Sequence, residues 1–177
     1  MPETDTASIE LTADQQGRLD AYIRRIRSFA FRIWMLTKLP MAWLAGCRVT
    51  ELTETTAAVR IRHRWLIQNP FRSTYFAVQS MAGEMATGLL GLMYIEAAGV
   101  PMSILVVKME SEFVKKATGI TTFTCTDGHT MRELVFRALE TGEGETIRTE
   151  SVGLDQDGNH IATFWITWSV KKKSKRS

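Results

Sequence analysis

The stretch from Thr74 to about Ala98 limits the possible folds of this chain more than any other part of it. It contains no proline, and Glu84 is the only acidic residue before Glu96. These 25 residues predict one helix, roughly 37 Å long at the standard rise. Its apolar residues, among them Val78, Met81, Met85, Leu89, Leu92 and Ile95, go all the way round instead of forming a stripe. Such a helix must be buried on most sides. Gly83, Gly88 and Gly91 each cost about 1 kcal/mol of helix propensity, which implies that something packs very close to the backbone there.

Glu84 stands in the middle of this apolar segment. An unpaired buried carboxylate costs several kcal/mol or shifts its pKa to escape ionisation. Ser80, Glu84 and Thr87 fall at i, i+4 and i+7 and make a narrow polar stripe that continues over Gly88 and Gly91. Two explanations stand side by side: room for a ligand, or a polar seam satisfied across a subunit interface.

The rest of the chain supplies one amphipathic helical region and several strands. Residues 1–11 are polar and expected to be flexible, and Thr12 with Gln15 reads as a capping box opening a helix over 12–38. Leu19, Ile23, Ile26, Ala30 and Ile33 form its apolar stripe, with Arg18, Arg24, Arg25 and Arg32 mostly off it. A basic amphipathic helix can lie on a membrane surface, but packing against the domain body is the expectation here. Pro40 ends the helix, and Gly46 releases the chain into extended structure. Over 56–64, Ala57, Val59 and Ile61 alternate with Arg60, Arg62 and Arg64, as in a strand with one buried face. The arginines either hold phosphates of a nucleotide-bearing ligand or form a solvated basic face. Further strands are expected at 102–116, 119–126, 145–154 and 159–170, with turns at Asp127-Gly128 and Asp157-Gly158 and a short helix over 129–141.

Composition excludes several function classes. A chain of 177 residues with 45% hydrophobic content fits one domain, here 12–170. The net charge of +3 comes from the tail 171–177, where Lys171, Lys172, Lys173, Lys175 and Arg176 cluster. The body without it is slightly acidic, so no nucleic-acid partner is expected. No charge-free run reaches 18 residues and the N-terminus is acidic and polar, so neither membrane insertion nor a signal peptide is expected and the location is cytoplasmic. Cys47 and Cys125 form no CxxC pair, which predicts no metal and two reduced, buried thiols.

The segment NPFRSTYFAVQSMAGEMATG resembles the active-site segment of hot-dog thioesterases of the phenylacetate-pathway type. That family shows an asparagine, then His-Gly-Gly six residues later opening the central helix, then an acidic residue nine beyond the histidine. Asn69, Tyr75 and Glu84 occupy those positions, and FVKKATG lies where the family runs from its third strand toward its fourth. The resemblance covers roughly 39–170, and the helix at 129–141 looks like an uncharacterised subgroup of that superfamily. It implies an α+β hot-dog fold, an antiparallel sheet wrapped around the long central helix, with the N-terminal helix added. It also implies an acyl-thioester hydrolase acting on coenzyme A esters, with no cofactor beyond the coenzyme A of the substrate. The enzyme would be a homodimer, or alternatively a tetramer, with its site shared between subunits.

In that reading Glu84 is base or nucleophile, the backbone N–H of Phe76 polarises the carbonyl, and Asn69 orients water or thioester. Tyr75 donates a hydrogen bond in the histidine's place or simply fills space, while Ser80, Thr87 and Gly88 contact substrate. Tyr75, Phe76 and Ala77 nevertheless replace His-Gly-Gly, which would suit an alternative, a non-catalytic acyl- or lipid-binding module on the same fold. His63, His129 and His160 are not on or just before the central helix, so the histidine-dependent dehydratase chemistry of the fold is not expected.

Overall fold

The computed structural model describes residues 9–173. The N-terminal capping box forms as expected: Thr12 N–H donates to Gln15 Oε1 at 2.9 Å, and Gln15 N–H to Thr12 Oγ1 at 3.3 Å. It opens α1 (Ala13–Ile26). The single helix expected over 12–38 is, however, broken in two. Ser28 adopts an extended conformation and its hydroxyl donates back to the Arg25 carbonyl at 2.7 Å, after which α2 (Phe29–Lys38) starts afresh. This local hydrogen bond competes with continued helix. The break also rotates the buried face: Leu19, Tyr22 and Ile26 are buried in α1 but Phe31 and Met35 in α2, leaving Ala30 and Ile33 of the expected stripe in solvent. A short α3 (Pro40–Ala45) follows, with proline in the first turn and Gly46 in the left-handed conformation at its end.

Six strands then build one antiparallel sheet: β1 (Arg48–Leu52), β2 (Ala57–Arg62), β3 (Met102–Phe113), β4 (Ile120–Cys125), β5 (Glu145–Asp155) and β6 (His160–Lys172). The order across the sheet is β1-β2-β4-β5-β6-β3. The long segment forms α4 (Phe76–Ala98), and the inserted helix forms α5 (Gly128–Thr141). Strand alternation turns Phe164, Ile166, Trp168 and Val170 of β6 inward, with Phe123 of β4, to form the floor on which α4 lies. The glycines of α4 make this contact possible. A β-carbon added at Gly83 would come within 2.7 Å of Phe164, at Gly88 within 3.2 Å of Trp168, and at Gly91 within 2.7 Å of Ile104. The sheet wraps its buried helix in the hot-dog arrangement.

Three local expectations change. Arg64 does not continue the basic face of β2; the strand stops at Arg62, a 3₁₀ turn (Trp65–Ile67) follows, and the Arg64 guanidinium donates to the Leu44 carbonyl. Asp127-Gly128 is not a free turn but the start of α5. Asp127 Oδ2 accepts the Glu150 N–H at 2.7 Å, and a β-carbon at Gly128 would strike the Glu54 carbonyl at 2.2 Å. The last strand extends past residue 170, with Lys171 and Lys172 in register with Ser103 and Met102. Lys175 and Arg176 lie outside the described residues, as do residues 1–8 of the polar N-terminus.

Candidate functional site

The middle of α4 meets α1, α2 and α3 across an apolar cleft of about 880 Å³. Tyr22, Phe31, Trp34 and Met41 form one wall, Met81, Leu89 and Leu92 the other, and Glu84 and Gly88 stand among the latter. Among the described residues the Glu84 carboxylate has no hydrogen-bond partner, and burial raises its pKa above the ordinary carboxylate range. The Cys47 thiol is pushed up to about 11, mostly by its own burial, with the negative charge of Glu84 adding to the effect. The other charges lie at the margin. Arg25 pairs with Glu96 at 3.4 Å, and both line the cleft, as does Lys38. A carboxylate made more basic by apolar walls is suited to take a proton from water, and the walls themselves suit an acyl chain.

The polar stripe expected along α4 divides. Ser80 Oγ donates to the Phe76 carbonyl at 3.0 Å. Thr87 is fully buried on the sheet side, where its hydroxyl donates to the Glu84 carbonyl and accepts from Trp168 Nε1, both at 2.9 Å. Its hydrogen-bonding needs are met inside the chain, and it does not line the cleft. Gly88 does, with Glu84 Oε1 3.5 Å from where its β-carbon would be.

The start of α4 forms a second recess of about 320 Å³, lined by Asn69, Ser73, Phe76, Gln79, Lys115 and Lys116 among others. Asn69 holds its own loop: Oδ1 accepts from Phe71 N–H at 3.0 Å, Ser73 N–H at 3.1 Å and Ser73 Oγ at 3.2 Å. Tyr75 caps α4 through its backbone, its N–H given to the Ile67 carbonyl at 2.8 Å. The next two amides, of Phe76 and Ala77, have no acceptor among the described residues. A helix start presents such N–H groups with positive partial charge. The Tyr75 and Phe76 rings meet edge-on at 4.8 Å, and Phe76 leans on Phe113 at 6.4 Å.

Sequence reasoning missed four contributors. Trp34 and Met41 line the cleft because α2 and α3 turn apolar side chains away from the core; their mismatch with a single buried stripe was the available signal. Gln79 is buried beside the second recess, donating to the Thr74 carbonyl at 3.1 Å while its Oε1 has no partner. His63 reaches the residue two before α4, its Nδ1 lying 3.3 Å from Thr74 Oγ1. The Phe76 amide and Glu84 are eight residues apart, about 12 Å along the helix. One chain therefore does not bring the carboxylate and the amide donors to a single carbonyl.

With this geometry in place, comparison with known proteins finds that residues 27–170 match the family described as Domain of unknown function (DUF4442). The chain belongs to that family. The match takes in α2 to β6 but leaves out α1, so the family segment holds most of the cleft and all of α4. No curated protein sequence matches the chain.

Solved structures share the fold at low sequence identity. A Pseudomonas aeruginosa protein described as a probable thioesterase is 17% identical, with 82% of this chain and 97% of that chain covered and a TM-score of 0.68. A Chlorobaculum tepidum protein of unknown function is 12% identical, with 92% and 100% covered and a TM-score of 0.72. A variant of a Pseudomonas aeruginosa thioesterase is 10% identical, with 86% and 99% covered and a TM-score of 0.62. These likenesses establish the hot-dog architecture.

Proposed function

We propose that this protein hydrolyses acyl thioesters, as coenzyme A esters, with Glu84 as general base and two copies of the chain completing each site. The observation that carries this reading is the Glu84 carboxylate, unpaired among the described residues, in an apolar cleft that raises its pKa. Glu84 takes a proton from water as the water oxygen attacks the thioester carbonyl. The oxyanion is held by the Phe76 N–H at a helix start. Collapse of the tetrahedral intermediate breaks the C–S bond, and the proton on Glu84 passes to the leaving thiolate. The products are a carboxylic acid and free coenzyme A. The acyl chain lies along the cleft walls near Gly88, while Asn69 and Tyr75 border the reacting carbonyl.

The separation of Glu84 from Phe76 along α4 supports a shared site, in which the donor amide comes from the other copy. The edge strand β3 supports a homodimer: among the described residues it has one neighbour, β6, and it turns Leu105, Val107 and Met109 into solvent.

The test is a panel of acyl-coenzyme A esters with detection of released thiol. Release by the parent chain, and a loss of about 10²- to 10⁴-fold in Glu84→Gln, is the expected result. No thiol release from any ester would end the hydrolase reading. One observation favours a second reading, an acyl-binding module without turnover: the Phe76 ring, packed on Tyr75, stands at the helix start, where the related motif has bare glycine backbone. Thermal stabilisation by acyl ligands without hydrolysis would identify it.

A further inference from the structure

The N-terminal helices differ in how they use their apolar residues. α1 packs its stripe inward, whereas α2 and α3 bury only Phe31, Met35, Ala42 and Ala45. Around these, Phe29 (71% exposed), Ile33, Trp34, Leu36, Leu39, Met41 (63% exposed) and Trp43 are left in solvent. The Arg64–Leu44 hydrogen bond ties the following 3₁₀ turn to α3, and Trp65 on that turn is 80% exposed. A surface with this many large apolar side chains marks an interaction site.

Charge narrows the kind of partner. Between Asp20 and Glu51 the chain carries Arg24, Arg25, Arg27, Arg32, Lys38 and Arg48 and no acidic residue. Arg25 is paired with Glu96 and Arg27 with the Leu52 carbonyl. Arg32 makes no ion pair among the described residues and lies over the Phe29 ring at 5.9 Å. Lys38 and Arg48 are exposed and likewise without an ion pair among those residues. A second copy seated on the same patch by two-fold symmetry would bring these cations against their own duplicates, with no acid in the segment to meet them. An anionic lipid surface meets both needs at once. It solvates Trp and Leu side chains at the headgroup boundary and pairs the surrounding cations with phosphates.

We infer that α2, α3 and the 3₁₀ turn form a peripheral docking face for an anionic phospholipid membrane. No helix among the described residues is long and apolar enough to cross a membrane, so the contact is one of side chains with the surface. The face is continuous with the cleft, because Trp34, Leu39 and Met41 belong to both. Docking therefore sets the cleft mouth at the depth of lipid acyl chains. This inference stands apart from hydrolysis and is tested without it.

The test is co-sedimentation of the full chain with vesicles of phosphatidylglycerol and phosphatidylcholine, against vesicles of phosphatidylcholine alone. Binding to the anionic vesicles that weakens with added salt is expected. Arg32→Glu with Lys38→Glu should lower partitioning by at least about tenfold. Phe29→Ser with Ile33→Ser should weaken it separately, through exposed side chains whose loss leaves the melting temperature in place. Failure of the parent chain to bind, or binding by both double variants as strong as the parent's, would overturn the inference. So would a change of oligomeric mass in these variants by sedimentation equilibrium, which would make the face a contact between copies.

Discussion

Inside the core, Trp168 Nε1 donates to Thr87 Oγ1 at 2.9 Å, joining the last strand to the central helix by a bond between two side chains. The Thr87 hydroxyl in turn donates a hydrogen bond to the Glu84 carbonyl, so the backbone of the candidate catalytic residue is held to the sheet through this pair. Thr87→Val keeps the shape and removes the acceptor, leaving a buried indole N–H unpaired at a cost of about 1–3 kcal/mol. For a chain of this size each kcal/mol lowers the melting temperature by about 2–4 °C. Thr87→Ser should recover most of the loss, and equal melting of the Val variant and the parent would show that the bond contributes nothing.

Glu84 makes stability depend on pH in a definite direction. Its folded pKa is raised above its unfolded value, so the folded state holds the proton more tightly. Stability is then greatest below the unfolded pKa, about 4.3, and falls as pH rises through the folded pKa. Glu84→Gln removes the ionisation. The variant should melt above the parent at pH 8, with the difference shrinking toward zero near pH 4. A difference that stays constant with pH would mean that the carboxylate is well solvated.

Two glycines in helices should respond oppositely to alanine. At Gly17, within α1, an added β-carbon meets nothing within 4 Å, and Gly17→Ala should stabilise by about 0.5–1 kcal/mol through helix propensity. At Gly83 the same change strikes the Phe164 ring and should cost about 1–3 kcal/mol. Chemical denaturation of the two variants beside the parent reads both signs.

The exposed edge of β3 gives the oligomer prediction. Leu105→Lys with Val107→Lys places two charges on the free strand edge, a device that blocks edge-to-edge pairing. Light scattering after gel filtration should show a dimer for the parent and a monomer for the variant. A monomeric parent at micromolar concentration would remove the shared site.

Much of this architecture is legible from residue patterns, and the places where it is not have physical causes. α4 stands out because an apolar, proline-free run has few alternatives, and the strands because alternation has a short period. The rotation of α4 about its own axis is another matter. A helix apolar on all sides carries no stripe to orient it, so only contact of Gly83 and Gly88 with Phe164 and Trp168 decides that Thr87 faces the sheet while Glu84 faces the cleft. Asp127-Gly128, expected as a turn, starts α5, and Ser28, inside the helix expected over 12–38, breaks it, because the side chains that make turns also start or interrupt helices. The cleft wall contributed by α2 and α3 is a tertiary property, set by how the chain turns at Ser28 and Pro40.

The position of β6 carries a consequence for how the chain is made. It is the sixth of the six described strands yet lies between β5 and β3, pairing with β3 from Met102↔Lys172 to Phe113↔Ala162. During synthesis β3 leaves the ribosome dozens of residues before β6, the strand it pairs with, and α4 emerges before the Phe164 and Trp168 floor exists. Contacts so distant along the chain form late and slowly. The nascent protein thus holds its most apolar helix without this floor until β6 has been made, a window in which a chaperone would have its largest target.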